Sequence, residues 1–332
     1  MNNIKVLDSS ALYANLNQFS KMKVCAMVKA NAYGHGLKEI VNLLKDKVEY
    51  FGVANVSEGL VVRKLTERPV LIVGKTDDFS LCKKHNLEIM IDDENDIKQA
   101  VKHGLQDQCH LKINCGMNRF GAKSNLSLKL LNMALEENKI KLKSIYTHFP
   151  NSTNKSQTKK QYLTFVEQKK LISQQPIICL GGSEIVDYNF DFQMLRVGIG
   201  LYGYEHKNLH PVMKIYSKIV KIFFAKKGET IGYGKKYVVK HDAFYGVVPM
   251  GYADGIARGL SGKIFVVIGG KKFEVVGDIC MDVFFVKVDR TVKVGDKVCI
   301  LSDAELFAKK LGTISYEILA NFSGARATTK IV

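Results

Sequence analysis

A lysine closes an apolar run near the start of the chain. Val24-Cys25-Ala26-Met27-Val28-Lys29 leads into Ala30-Asn31-Ala32-Tyr33-Gly34-His35-Gly36, which reads as a buried strand entering a glycine-rich turn. A lysine at such a place loses its charge readily, and a neutral amine forms Schiff bases with carbonyl compounds. The surrounding alanines and glycines leave room for a flat ligand, and Tyr33 is within reach. Taken alone, Lys29 reads equally well as a strand-terminal lysine stretching to solvent. Other polar residues close apolar runs in the same way. Lys112 lies in the run His110–Cys115, and Arg119 follows it in Gly116-Met117-Asn118-Arg119. His148 lies near the end of Leu142–Phe149, Gly182-Ser183 follows Pro176–Gly181, and Arg196 precedes Gly198-Ile199.

The elements that must position these groups can be read from the same pattern. Candidate strands are Val24–Ala30, Tyr50–Asn55, Val70–Gly74, Leu87–Asp92, His110–Cys115, Leu142–Phe149, Pro176–Gly182 and Met194–Gly200. Between them Leu37–Lys47, Ser57–Thr66, Asp93–His103, Leu126–Asn138 and Gln157–Gln174 carry helical apolar spacing. Alternating strands and helices predict a parallel sheet. This many units in some 200 residues predict a closed (β/α)8 TIM barrel. A doubly wound open sheet competes, but no Gly-x-Gly-x-x-Gly follows the first strand. Barrels carry their sites at the C-terminal ends of the strands, and Lys29, Lys112, Arg119, His148 and Arg196 all fall there. The turns after the last two strands, at Ser183 and at Gly198-Ile199, offer a hydroxyl and backbone N–H groups suited to an anion. An imine-forming lysine with a phosphate cradle suggests pyridoxal 5′-phosphate.

Near residue 212 the texture changes. Ser217–Ala225, Tyr245–Met250, Ile264–Ile268 and Val283–Val288 alternate with glycine-rich turns, which predicts a mainly β C-terminal domain. A last helix is expected over Ile314–Asn321. The expected domains are a barrel over 8–211 and a β domain over 212–332, joined by the segment 1–7.

Composition narrows the function classes. The formal charge is +17, from 49 Lys and Arg against 32 Asp and Glu. The lysines are spread along the chain without a helix-turn-helix, zinc-finger or RNP-like pattern, so no nucleic-acid partner is expected. A phosphorylated ligand accounts for basic charge more simply. Seven cysteines without a Cys-x-x-Cys pair read as small core residues, neither a disulfide frame nor a zinc site. The eight histidines show no metal-ligand spacing. No apolar run is long enough for a membrane span, and the first residues lack a signal region. No membrane partner and a cytoplasmic location are therefore expected.

The chain resembles alanine racemase, the pyridoxal-phosphate-dependent family built on a barrel. The resemblance is carried by Val28–Gly36, Gly116-Met117-Asn118-Arg119-Phe120-Gly121, Arg196–Gly203, Gly232-Tyr233-Gly234, Gly251-Tyr252-Ala253-Asp254-Gly255, Cys280-Met281-Asp282 and Tyr316-Glu317. It implies that Lys29 holds pyridoxal 5′-phosphate as an imine and serves as the base for the D-enantiomer. It further implies that Tyr233 is the opposite base, acting on the L-enantiomer. Neighbouring positive charge must help that phenol, and the resemblance puts His148 and Arg196 between it and the cofactor. An arginine in place of the usual carboxylate at the pyridine nitrogen would make the ring a poorer electron sink and suppress transamination.

By the same resemblance Tyr33, Ser183, Gly198, Ile199 and Tyr316 hold the phosphate, while Arg119, Met281 and Tyr252 meet the substrate. Lys112 matches a lysine that is often carbamylated. Gly182 replaces a common Asn, and Asn114-Cys115 replaces the commoner Asp and Thr. The implied activity is racemisation of alanine, supplying D-alanine for the cell wall. A broad-specificity, serine or lysine racemase of the same fold, and a non-catalytic pyridoxal-phosphate carrier, are the alternatives. A homodimer is implied in which the β domain of one subunit completes the other's site.

Overall fold

The apolar runs do close on themselves. The computed structural model describes residues 3–332, so Met1 and Asn2 of the expected joining segment lie outside the described residues. A first strand, Ile4–Leu7 (β1), precedes the barrel. The barrel strands are Lys23–Met27 (β2), Tyr50–Val53 (β3), Val70–Ile72 (β4), Glu88–Ile91 (β5), Cys109–Lys112 (β6), Leu142–Tyr146 (β7), Ile177–Gly181 (β8) and Met194–Val197 (β9). All eight are parallel, and β9 pairs back onto β2 with Cys25 opposite Arg196. Strands buried on both faces need continuous apolar runs, which is why the runs were legible.

Each observed strand stops short of its apolar run. The run Val24–Ala30 yields a strand only to Met27, and Leu142–Phe149 only to Tyr146. The remaining residues leave the ladder as loops at the C-terminal rim. The helices around the barrel start on side-chain caps. Asn55 accepts from Glu58 N–H at the start of Val56–Arg63. Asp93, Ser124 and Asn154 do the same for Glu94–Lys102, Asn125–Glu137 and Lys155–Lys169. Each cap satisfies an amide that lacks a partner in the first turn. Helices at Ser9–Asn17, Phe79–Lys84 and Ala304–Leu311 are additions to the sequence expectation.

The C-terminal part is a mostly β structure. Its strands are Met213–Lys218 (β10), Lys221–Ala225 (β11), Thr230–Ile231 (β12), Tyr237–Val238 (β13), Ala243–Val248 (β14), Phe265–Ile268 (β15), Lys271–Val276 (β16), Phe284–Val288 (β17), Lys297–Leu301 (β18) and Thr328–Ile331 (β19). A nine-stranded sheet runs β11-β14-β17-β16-β15-β18-β10-β1-β19, with β12-β13 as a separate hairpin. The run Ser217–Ala225 is thus two strands, broken at Ile219-Val220. β1 lies antiparallel to β10 and parallel to β19, so Ile4–Leu7 belong to this sheet.

One apolar core continues from the barrel into the sheet through residues such as Leu12, Phe51, Leu180, Ile215, Met250 and Leu301. All seven cysteines are free, and only Cys299 is partly exposed. Among the described residues no helix is long and apolar enough to cross a membrane.

Candidate active site

Strand register brings the polar strand ends together. Lys112 on β6 stands opposite Tyr146 on β7. Arg196 on β9 stands between Cys25 of β2 and Gly181 of β8. A cavity of about 310 Å³ opens at this rim, and Lys29, Tyr33, Lys112, Arg119 and His148 line one part of it. Gly182, Ser183, Arg196, Gly198, Ile199 and Tyr316 also line it, as does Tyr146.

The turn after Lys29 has an unusual backbone. Ala30, Asn31, Ala32 and Tyr33 have φ between 52° and 54°, so four side-chain-bearing residues form one left-handed turn. Each such residue costs roughly 1–2 kcal/mol, and the surroundings hold the turn in place. Glu58 accepts from the Ala30 N–H at 2.7 Å and from the Ala54 N–H at 2.8 Å. Asn31 Oδ1 accepts from Leu37 N–H at 2.7 Å. The buried Lys5 ammonium, on β1, donates to the Gly34 carbonyl at 2.8 Å. Buried His35 hydrogen-bonds the Tyr33 carbonyl through Nδ1 at 3.0 Å and stacks near Tyr202. Gly34 has φ +80°, and a Cβ there would run into the Leu319 carbonyl.

Electrostatics distinguish this cavity. Lys29, Lys112, Arg119 and Arg196 line it, and no carboxylate among the described residues does. Burial first, then Arg119, lowers the pKa of Lys29, with Glu58 opposing. Burial, then Arg196 and Arg119, pushes Lys112 down to about 7. His148 is pushed down to about 3 by burial and then by Arg196, so it is a neutral imidazole at working pH. Arg196 is buried. It donates through Nη1 to the Cys179 carbonyl at 3.2 Å and through Nη2 to the Thr147 carbonyl. Its guanidinium carbon lies 4.5 Å from the Tyr146 ring centroid. A guanidinium has five N–H donors, so donors remain for the cavity.

Tyr233, Tyr252 and Met281 do not join this set. They do not line the cavity, and they are 72%, 43% and 53% exposed on the β part. Tyr252 and Met281 are neighbours, since Tyr252 N–H donates to the Cys280 carbonyl at 3.0 Å and Ala253 N–H to the Met281 carbonyl at 3.1 Å. Tyr233 sits in the turn Tyr233–Lys235 between β12 and β13, flanked by Gly232 at φ +79° and Gly234 at φ +68°.

Comparison with known proteins bears on the whole chain. The family model for the alanine racemase N-terminal domain matches residues 7–206, and that for the C-terminal domain matches 212–330. The chain belongs to the alanine racemase family. An alanine racemase of Francisella philomiragia is 32% identical, covering 91% of this chain and 91% of its own. The alanine racemase of Clostridium difficile 630 superposes with a TM-score of 0.90 at 30% identity, over 100% of this chain and 96% of that one. That of Bacillus anthracis, solved with bound L-Ala-P, gives 0.91 at 27%, over 100% and 95%. Amino-acid racemisation, an isomerase reaction, is the activity.

The cavity fits the cofactor that alanine racemases imply. The lining is rich in cations and N–H donors, as a phosphorylated ligand requires. Gly198 opens the cradle, since a Cβ there would lie 2.5 Å from the Tyr33 hydroxyl. The buried Tyr146 hydroxyl has no hydrogen-bond partner among the described residues. Ser183 Oγ already accepts from Gly200 N–H at 3.0 Å, and the Tyr316 hydroxyl donates to Glu205 at 2.7 Å. Glu205 was not foreseen from sequence.

The departures from the alanine racemase pattern have local reasons. Gly182 has φ +116°, and a Cβ there would lie 2.8 Å from Ser152 Oγ, so this turn admits no asparagine without strain. Asn114 Oδ1 accepts from Gly116 N–H at 3.1 Å and from Asn118 N–H at 3.0 Å, a task an aspartate oxygen could equally perform. Cys115 Sγ pairs with Thr147 Oγ1 at 3.0 Å.

Proposed function

We propose that this chain interconverts L- and D-alanine with two opposed bases, Lys29 and Tyr233, and that Tyr233 comes from a second copy of the chain. The observation that carries the reading is the amine of Lys29 in a cationic cavity at the barrel rim, while Tyr233 of the same chain stands exposed outside it. Two copies related by a two-fold axis would each supply what the other lacks. Tyr252 and Met281 would arrive with Tyr233 and narrow the mouth, favouring a methyl side chain over a long one.

Pyridoxal 5′-phosphate, when bound, supplies the electron sink that makes the Cα proton removable. Lys29 would carry it, and Tyr33, Ser183, Gly198, Ile199 and Tyr316 would hold its phosphate. Arg196 would donate an N–H to the ring nitrogen. Arg119 would orient the substrate carboxylate, with Lys112, as amine or carbamate, beside it. The lowered pKa of Lys29 favours the free amine, which takes a proton from one face of Cα. Tyr233 would take or return a proton on the other face. His148, held neutral, can pass a hydrogen bond from Tyr233 toward Arg196 without adding charge. The domains proposed are 8–211 and 212–332, with 1–7 added to the second. The setting proposed is the cytoplasm, where D-alanine is made for peptidoglycan.

The test uses purified protein in deuterium oxide. An absorbance band of a protein-bound imine, deuterium at Cα of both L- and D-alanine, and faster turnover of alanine than of serine or lysine are expected. Faster turnover of serine or lysine would overturn the substrate. No exchange at Cα by imine-bearing protein would overturn the reaction and leave a pyridoxal-phosphate carrier.

A further inference from the structure

Beside the cavity, three carboxylates crowd one ammonium. Asp92, Asp93 and Asp96 hold oxygens within 4.8 Å of one another. Lys75, just beyond β4, reaches all three, at 2.5 Å from Asp92 Oδ1, 2.8 Å from Asp93 Oδ2 and 2.5 Å from Asp96 Oδ2. Two of these acids have structural work. Asp93 caps the helix Glu94–Lys102, and Asp96 accepts from the Asp92 N–H at 2.9 Å. Asp92 Oδ2 points elsewhere. It accepts the Gly121 N–H at 2.5 Å.

Gly121 ends the loop Gly116–Gly121 that carries Arg119. It has φ +108°, and a Cβ there would lie 2.8 Å from the Asn114 nitrogen, so glycine lets this end of the loop lie against the strand end. The other end is fixed by Asn114 Oδ1, through Gly116 and Asn118. Arg119 lies between the two anchors and faces the cavity. Its guanidinium has no ion-pair partner among the described residues, so its reach depends on where the loop stands.

We propose that Lys75 and Asp92 are a positioning pair, in which Lys75 fixes the Asp92 carboxylate and Asp92 fixes the Gly121 end of the loop, so setting the reach of Arg119 toward the substrate carboxylate. This rests on the reading of Arg119 as the carboxylate-binding residue. Asp92 is also the acid that acts on Lys112 against Arg196 and Arg119, so it balances charge on the same side of the cavity. A displaced orienting group weakens a reaction steeply with distance. A group that binds substrate and transition state alike changes KM more than kcat.

The test compares Asp92→Ala, Asp92→Asn, Lys75→Met and Arg119→Ala in the holoenzyme. Kinetics on L- and D-alanine are read with hydrogen–deuterium exchange over residues 113–123. Asp92→Ala should raise KM about tenfold with kcat changed less than about threefold, and should speed exchange at Gly121. Asp92→Asn keeps an oxygen for Gly121 and should raise KM less. Lys75→Met should fall between them, and both remain readable if Asp92→Ala does not fold. A raised KM in Arg119→Ala with KM and exchange unchanged in the Asp92 and Lys75 variants overturns the positioning pair while leaving the Arg119 reading intact. Faster exchange in Asp92→Ala without a change in KM also overturns it. An unchanged KM in Arg119→Ala overturns the Arg119 reading, and the pair's role with it.

Discussion

Replacing Glu58 by alanine should loosen the turn that presents Lys29, although Glu58 lies outside the cavity lining. The left-handed turn Ala30–Tyr33 costs roughly 4–8 kcal/mol for four side-chain-bearing residues. Its internal bonds, such as Ala32 N–H to the Val28 carbonyl at 2.8 Å and Gly34 N–H to the Ala30 carbonyl at 3.0 Å, would form in other turns as well. The contacts that select this conformation come from outside it. Glu58 supplies two acceptors, at 2.7 Å to Ala30 and 2.8 Å to Ala54, and so ties the turn to the end of β3. A hydrogen bond to a charged group is worth about 1.5–3 kcal/mol. Ala30 is exposed, so water can replace part of its bond. The pair together should contribute about 2–3 kcal/mol. With an unfolding entropy of about 2.1 cal/mol/K per residue, that corresponds to a fall in Tm of about 3–4 °C.

The kinetic effect should be larger than the thermal one. A shift of the Lys29 amine by a fraction of an ångström should lower kcat about tenfold to a hundredfold. Glu58→Gln keeps one acceptor and should lose less of both. Glu58 also raises the pKa of Lys29. Removing its charge should therefore lower that pKa, making the free amine available at lower pH and moving the acid limb of the pH–rate profile downward in both variants. Thermal melts, kcat and pH profiles of the two variants are the assay. Wild-type kcat and an unmoved acid limb in Glu58→Ala, whatever happens to Tm, would refute the claim that this carboxylate positions Lys29.

Three other outcomes follow from the geometry. Lys29→Ala and Tyr233→Phe should each be inactive, and after subunit exchange the mixture should regain about a quarter of wild-type activity, since half the dimers carry one intact site; no recovery in a mixture shown to exchange would sink the shared site. Lys112, held at about 7, becomes largely neutral as pH rises from about 6 to 8, so carbon dioxide can add to its nitrogen with release of a proton. A carbamate resonance from labelled bicarbonate should grow over that range and vanish in Lys112→Ala; a signal independent of Lys112 would exclude carbamylation there. Buried His35 is pushed down to about 3, chiefly by desolvation, while in the unfolded chain it titrates near 6.5. Below about pH 6.5 the unfolded chain takes up the proton that the native state refuses, so stability falls as pH falls, by roughly 2 kcal/mol at pH 5. Denaturant melts should show a shallower pH slope in His35→Gln; an equal slope would count against the buried neutral imidazole.

How much was legible from sequence depended on whether a residue acts through its own side chain. The barrel strands could be read because strands buried on both faces need apolar runs. Their ends could not, because Val28 and Phe149 extend an apolar run after the ladder has stopped. Lys29, Lys112, Arg119, His148 and Arg196 stood out as polar residues closing such runs. Glu58, Lys75, Asp92 and Lys5 did not. They hold backbone amides, a carbonyl or one another from distant positions, as Glu58 does for Ala30 across 28 residues, and no local pattern marks an acceptor for a remote N–H. The left-handed turn was equally hidden, since alanine and tyrosine give no sign of positive φ. Tyr233, Tyr252 and Met281 were legible only as motifs. Large exposed side chains call for a covering surface, and Tyr233, Tyr252 and Met281 stand exposed outside the cavity that holds Lys29. The proposed second copy answers both facts at once: it covers the exposed tyrosines and brings the phenol of Tyr233 to the face opposite Lys29.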